Sequence, residues 1–448
     1  MKTIPALNAA LNANETSSAE LTADCLAHIN DPAGEGARTF LAAFDDSAMR
    51  EAEIADRRLE VGSQTALTGL PISIKDLFDV AGQVTRAGSK VRNDAPAATV
   101  DAPVVARLRA AGATLVGRTN MTEFAYSGLG LNPHYGTPAN PFDRATRRIP
   151  GGSSAGAAIS VTDGMAAAAI GSDTGGSVRI PAAFCGLTGF KPTARRVPTA
   201  GVFPLSYTLD SIGPLAASVA CCAAIDRIIA DQPSETPRPV NVAGLRLAIP
   251  ETIVLDDLDD TVAGVFDETI RKLSEAGARL THLQFDLLND IPAANASGGF
   301  VAPECYNITR DLLQQAPEAF DPRVISRILK ADTMTAADYV QLCQKRQDII
   351  NRADLISREF DAVIMPTVPM IAPAIAPLEA DDRLYAKTNM LALRNCSIGN
   401  FLDRCAITLP CHRRGEAPVG LMVMGETMGD QRLLDIAASL EKVIGHIE

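Results

Sequence analysis

Two serines set in glycine-rich turns constrain this chain more than any other feature. The stretch from Gly151 to Pro181 begins Gly151-Gly152-Ser153-Ser154-Ala155-Gly156, passes through an Ala-rich segment, and ends Gly171-Ser172-Asp173-Thr174-Gly175-Gly176-Ser177-Val178-Arg179-Ile180-Pro181. Ser153 and Ser177 are therefore 24 residues apart. Glycine takes backbone dihedrals closed to other residues and lets the chain approach a ligand closely, so two such turns can aim peptide N–H groups and hydroxyls at one point. A developing oxyanion suits that point. Upstream, Gly69-Leu70-Pro71-Ile72-Ser73-Ile74-Lys75-Asp76-Leu77 places Lys75 in an apolar, strand-like run. Burying the charge of a lysine is costly, and a desolvated lysine gives up its proton more readily and can act as a base.

At 448 residues the chain can bury a large core, and length alone suggests two or three domains. No linker is strong enough to divide it, so one large domain over residues 1–448 is expected. Hydrophobic residues make up 47% and charged residues 21%, with no uninterrupted apolar run long enough for a membrane span. The most apolar segment, Leu215 to Ile225, is short and ends at Asp226-Arg227. Nine cysteines, an odd number that includes the adjacent Cys221-Cys222, fit reduced thiols better than a disulfide framework. The N-terminal residues Met1 to Asn8 carry no secretory pattern, and a cytoplasmic location is expected. A net charge of -12 argues against a nucleic-acid or anionic-membrane surface as partner.

Strand and helix patterns alternate along the chain, which predicts a sheet covered by helices. Ser17-Ser18-Ala19-Glu20 forms a capping-box signature ahead of a first helix, and Asp46 to Glu60 predicts a second, highly charged one within an N-terminal helical segment, residues 1–62. Ile72 to Ile74 predicts a strand, Ala102 to Ala111 a helix ended by Gly112, and Thr114 to Val116 a strand. The region Val202 to Ile225 is mixed, and Asp231 to Pro239 is a turn-rich link. Leu245 to Ile249 and Arg279 to Phe285 then predict strands around a helix over Asp260 to Ala276. Ala302 to Phe360 is almost wholly helical in character, part of a cap-like insertion over residues 285–360. Strands are expected at Ala362 to Met365, Ala406 to Leu409 and Leu421 to Met424, with a final helix from Gln431 to Val443.

A serine hydroxyl is a poor nucleophile until a base takes its proton, and the usual base is histidine. The five histidines, His28, His134, His282, His412 and His446, lie in no motif of their own. His134, in Asn132-Pro133-His134-Tyr135-Gly136, is the nearest to the glycine-rich stretch and reads as part of a turn. A serine–lysine pairing is the better chemical option. Each residue also has a structural alternative: Ser153 could cap a helix beginning near Ser154, and Lys75 could pair with Asp76 or Asp79. Ser154 fits capping or network support, and Asp173 and Arg179 fit a scaffold of ion pairs around the second turn. Cys405 to His412 lacks the spacing of a zinc pair, Gly128-Leu129-Gly130 lacks the third glycine of a dinucleotide turn, and no phosphate-binding loop occurs, so neither metal nor cofactor is expected.

These residues resemble the amidase signature hydrolases from Leu70 through Leu421, most densely from Gly69 to Pro192. Gly117-Arg118-Thr119-Asn120-Met121-Thr122-Glu123-Phe124 and Phe184-Cys185-Gly186-Leu187-Thr188-Gly189-Phe190-Lys191-Pro192-Thr193 extend the likeness. Alanine at position 155, where the family commonly has glycine, is a small departure. The resemblance implies an α/β fold with a large mixed central sheet covered by helices on both faces and a helical cap region. It implies a Ser-cisSer-Lys triad, with Ser177 as nucleophile, Ser153 as bridging serine and Lys75 as base. Backbone N–H groups of Thr174, Gly175, Gly176 and Ser177 would hold the oxyanion, with Ser154, Asp173 and Arg179 in support. Pocket walls are expected around Met121, Tyr126 and Ser127, from the segment Ala302 to Leu342, and from loops after Met365. Phe124 and Tyr126 suit either an aryl or apolar acyl group or the core.

The activity implied is hydrolysis of a carboxylic amide, aryl or short-chain, to acid plus ammonia or amine through an acyl-enzyme, with esters as side substrates. A homodimer is compatible with the resemblance. Two other readings stay open. One is the glutamine-hydrolysing component of a tRNA-dependent amidotransferase, for which Arg323, Arg327 and Asp382 are candidate recognition residues. The other is a non-catalytic small-molecule-binding scaffold, against which the intact Lys75, Ser153 and Ser177 weigh.

Overall fold

The alternating strand and helix patterns resolve into one mixed sheet flanked by helices, in a computed structural model that describes residues 1–232 and 236–445. Its eleven strands are β1 (Phe40–Ala43), β2 (Pro71–Lys75), β3 (Thr114–Thr119), β4 (Ala168–Asp173), β5 (Thr188–Lys191), β6 (Ser211–Ala216), β7 (Arg246–Pro250), β8 (Arg279–Leu283), β9 (Ala362–Pro366), β10 (Ala406–Pro410) and β11 (Gly420–Met424). Their order in space is β1-β3-β2-β4-β6-β5-β10-β11-β9-β7-β8. Parallel pairing joins β3, β2 and β4 toward one end and β9, β7 and β8 toward the other, while antiparallel strands fill the middle.

Side chains on a strand alternate between faces, and both faces of this sheet are apolar. Leu421 and Val423 enter one hydrophobic cluster, whereas Met422 and Met424 enter another. Helices cover the sheet because their own sequences supply start signals. Ser17 accepts the Glu20 amide and Glu20 returns a bond to the Ser17 amide, which closes the expected capping box ahead of the helix Ser18–Asn30. Ser218 caps Val219–Ala230 through the Cys221 amide, so the apolar segment Leu215 to Ile225 divides between the end of β6 and this helix. Among the described residues, no helix is long and apolar enough to cross a membrane.

The expected elements at residues 45–60, 71–75, 103–110, 246–283 and 430–444 all form. Between residues 301 and 357 the chain is helical, with Val301–Gln315, Pro322–Ile328 and Ala336–Ser357 as the main pieces. Of the turn-rich link 231–239, residues 233–235 lie outside the described residues. The structure adds what sequence patterning did not reveal: strands β1, β4, β5 and β6, and a 20-residue helix, Asp382–Phe401. In parallel strands the carboxyl ends point the same way. Lys75 therefore stands at the same edge as Ser172 and Asp173, which end the neighbouring β4.

Candidate active site

Register brings the lysine to the serines. Lys75 is 0% exposed, and its Nζ reaches Ser153 Oγ at 2.7 Å and Ser172 Oγ at 2.8 Å. It pairs with neither neighbouring aspartate: Asp76 takes the buried Arg118 guanidinium at 2.8 Å, and Asp79 accepts the Thr85 hydroxyl. Burial draws the Lys75 ammonium down to about 7, although the negative charges of Asp210 and Asp173 oppose the shift. A lysine with such a proton affinity is half neutral near neutral pH and can accept a proton.

Ser153 follows a cis Gly152–Ser153 peptide. Gly152 must be glycine here, because a Cβ would come within 2.5 Å of the Gly130 nitrogen. The helix Ala155–Thr162 starts after Ser154, whose hydroxyl makes no cap bond and points instead to the Ser172 carbonyl at 3.4 Å. Ser153 does not cap that helix; its hydroxyl faces Lys75. The Ser154 amide donates to the Ser177 carbonyl at 3.3 Å, which ties the two serine turns together.

The second turn is held from inside by Asp173. Its carboxylate accepts the amides of Gly176 (2.9 Å), Val178 (3.1 Å) and Arg179 (3.4 Å), and it forms a fully buried ion pair with Arg179 at 2.9 Å. Burial pushes the Asp173 carboxyl up, but the charge and hydrogen bonds of Arg179, aided by Lys191 and Asn400, win and hold it well below the usual carboxylate range. Asn400 bridges both partners, accepting from Arg179 at 2.6 Å and donating to Asp173 at 2.9 Å. The Gly176 amide is thus engaged by Asp173 and does not face the cavity, which corrects its expected part in the oxyanion hole. Thr174, Gly175 and Ser177 do line the cavity.

That cavity opens from Ser177 between the turn, the 295–301 segment, the helix Pro322–Ile328 with the turn after it, and the helix Asp382–Phe401. Tyr126 and Ser127 line it as expected. Met121 does not: it is 0% exposed and packs in the core, so its expected place in the pocket is corrected. Phe124 is core as well, its ring 5.4 Å from that of Phe203 and 5.3 Å from that of Phe320. Leu205, Leu209, Phe300, Met390, Leu393 and Ser397 are among the other wall residues, which come in place of the loops after Met365. The charged lining residues are Arg327 and Lys330. Arg327 donates to the Tyr126 carbonyl and stacks 4.5 Å over the Tyr126 ring. Arg323 pairs with Asp382 at 2.7 Å and stacks on Tyr385 in an adjoining surface depression. The hydroxyl of Ser127 donates to Asn389 and accepts from Tyr385, which fastens this wall to the helix Asp382–Phe401.

His134 lies apart from these groups, with Nε2 2.8 Å from the buried Glu123, which also accepts from Ser89 and the Asp321 amide. Cys405 and Cys411 are buried thiols that donate to the carbonyls of Glu426 and Val419. Sequence reasoning missed Ser172, Asn400 and Asp210. The Ser-Asp-Thr run before Gly175 was a signal for Ser172, whereas Asn400 and Asp210 arrive from distant elements.

A model of the Amidase family matches residues 20–434. The chain is 36% identical to 2-amino-5-chloromuconic acid deaminase of Comamonas testosteroni, over 90% of this chain and 88% of that one. It is 32% identical to the A-type component of the glutamyl-tRNA(Gln) amidotransferase of Methylococcus capsulatus, over 97% and 96% of the two chains. The crystal structure of an amidase superposes with a TM-score of 0.87 at 29% identity, covering 99% of this chain and all of that one. With sequence and fold shared along nearly their whole length, the chain belongs to the amidase signature family and is an amide-hydrolysing enzyme.

Proposed function

We propose that the protein hydrolyses a small carboxamide bearing a carboxylate, through Ser177, Ser153 and Lys75. The observation that carries the chemistry is the buried 2.7 Å contact between Lys75 Nζ and Ser153 Oγ, beside the turn that bears Ser177. Neutral Lys75 takes the Ser153 proton while Ser153 takes the Ser177 proton, and Ser177 Oγ bonds to the carbonyl carbon. The carbonyl oxygen gains the negative charge and is met by N–H groups from Thr174, Gly175 and Ser177, a contribution of about 3 kcal/mol per well-placed donor. As the tetrahedral adduct collapses, the C–N bond breaks and the relay returns a proton to the leaving nitrogen, releasing ammonia or an amine. Water then attacks the Ser177 ester by the same relay and frees the acid.

The charge of the pocket supports an acidic substrate. Arg327 and Lys330 line it, and no Asp or Glu does among the described lining residues. A relative named for an acid, 2-amino-5-chloromuconic acid, is in keeping with this. The amidotransferase reading is weaker on the same observation: glutamine carries an α-ammonium, and this wall offers it no carboxylate. The non-catalytic reading leaves a desolvated lysine between two serines without purpose.

The test is turnover of succinic and glutaric monoamides, their neutral methyl esters, aryl amides and glutamine by the purified protein, beside Ser177→Ala and Lys75→Ala. Ammonia release from the acidic amides, lost in both variants, is the expected result, with added hydroxylamine turning the acyl product from acid to hydroxamate while ammonia is still released. Folded wild type that releases nothing from any amide would sink the proposal.

A further inference from the structure

The turn carrying Thr174 and Ser177 is held from a second side, by a carboxylate outside the proposed triad. Asp210 sits immediately before β6, and its Oδ1 accepts the Thr174 hydroxyl at 2.5 Å. Its Oδ2 accepts the amides of Leu205 and Ser206 at 2.9 and 3.1 Å. The next link reaches the helical segment over the cavity. Ser206 and Thr208 donate their hydroxyls to Glu304 in the helix Val301–Gln315, and Tyr339 from Ala336–Ser357 donates to the same carboxylate. An unbroken run of hydrogen bonds therefore leads from the oxyanion turn, through Asp210 and the 205–208 turn, to the two helices.

Asp210 makes no ion pair among the described residues, and burial draws its carboxyl up to about 6, although the Thr174 hydroxyl, the Leu205 and Ser206 amides and the charge of Lys75 oppose the shift. The groups that share its surroundings are Lys75 at the end of β2, Asp173 at the end of β4, and Glu304 and Cys305 in Val301–Gln315. Asp173 is neutralised by Arg179 and Glu304 is tied to hydroxyls, so Lys75 is the cation left for Asp210 to act on. Hydrogen bonds accepted by a carboxylate are among the stronger ones, and three of them converge here on two turns.

We propose that Asp210 is a positioning residue for the reaction: through the Thr174 hydroxyl it fixes the oxyanion turn to the 205–208 turn and the helices behind it, and its charge biases the protonation of Lys75. This rests on the chemistry assigned above to Ser177 and Lys75. Thr174→Val cuts the link and keeps the carboxylate; Thr174→Ser restores the hydroxyl. Asp210→Asn keeps the size and removes the charge, its Oδ1 still able to accept the Leu205 and Ser206 amides while its N–H₂ faces the Thr174 hydroxyl.

The experiment combines amide turnover, hydrogen exchange of the 174–177 amides, and NMR titration of isotopically labelled lysine, with Lys75 assigned through Lys75→Arg. Thr174→Val is expected to lose about tenfold to a hundredfold in kcat, the cost of misplacing a catalytic group by a fraction of an ångström to an ångström, while KM stays within about twofold. Its 174–177 amides exchange faster, and Thr174→Ser reverses both effects. In Asp210→Asn the Lys75 midpoint moves down, because a negative charge that favours the ammonium has gone. Thr174→Val with unchanged exchange in the turn, or a loss carried by KM alone, would overturn the positioning role; an unmoved Lys75 in folded Asp210→Asn would overturn the electrostatic one. Exchange and titration need no turnover. Wild type inert toward every amide would count against the proposed chemistry and leave these two measurements to judge Asp210.

Discussion

The two walls of the cavity are built on different terms. On the reactive wall, Lys75, Ser153, Asp173 and Arg179 are each 0% exposed, and their partners come largely from β2, β4 and the two glycine turns. On the opposite wall, Lys330 and Met390 are exposed, and the lining comes from elements between residues 295 and 401. Polar groups buried in low dielectric must be matched closely, so the reactive wall has little freedom to change. A half-exposed wall of apolar side chains and two cations can be altered with small cost to the fold. The chemistry is thereby insulated from the selection of substrate.

Substitutions on the reactive wall test this contrast most severely. Ser177→Ala and Lys75→Met are each expected to lower kcat by at least about 10⁴-fold, since members of one relay do not act additively. Combining them should cost little more than either alone, as measured by steady-state ammonia release. Below about pH 7 wild-type kcat should fall as Lys75 gains its proton, and above that it should rise to a plateau. A flat profile between about pH 5 and 9 would remove Lys75 from the role of base.

The buried pair comes next. Arg179→Met leaves the Asp173 carboxylate in the core without its cation, which is expected to cost about 3–5 kcal/mol in denaturant unfolding. Asp173→Asn in turn strands the buried Arg179 guanidinium and is expected to cost a similar amount, although its amide oxygen can still accept from the Gly176 or Val178 amide. If both variants keep full stability, the turn is not held by this pair.

The reactive wall was legible in the sequence, and the substrate wall only in part, at Tyr126, Ser127 and the segment that carries Arg327 and Lys330. Glycine turns, a lysine in an apolar run and the Asp173–Arg179 spacing are local signals that survive without a fold. The strand β4 gave no alternation to find, because Ala-Ala-Ile-Gly-Ser-Asp is buried on both faces, and β6 carries Gly213 and Pro214. Close packing explains the former of these, since a Cβ at Gly213 would meet the Phe190 carbonyl at 1.9 Å. In Asp382–Phe401 the apolar stripe is broken by Asn389, Asn395 and Asn400, all buried and hydrogen-bonded, so its helical period is faint. Nearness in sequence suggests a pocket place for Met121, whereas tertiary packing turns it inward.

Charge on the substrate wall should tune selectivity without touching the chemistry. Lys330→Glu is expected to lower kcat/KM for an acidic amide relative to its neutral ester by about tenfold, and raising the salt should shrink the difference between wild type and variant. Lys330 is exposed and makes no ion pair among the described residues, so stability is expected to stay within about 0.5 kcal/mol. An unchanged ratio would mean that this cation does not meet the substrate.

The smallest effects distinguish a wall from the core behind it. Met121→Leu conserves volume at a position with no access to the cavity, so it should cost less than about 1.5 kcal/mol and leave relative kcat/KM across an amide panel unchanged. Leu393→Ala shortens a side chain that does line the cavity and is partly exposed. It should shift preference toward bulkier acyl groups by about fivefold, the low end of the about 1–3 kcal/mol that one methylene is worth in an apolar pocket, because Leu393 is partly exposed. If the panel responds to Met121→Leu and not to Leu393→Ala, substrate is selected from the sheet side, and the division between a fixed reactive wall and a variable binding wall fails.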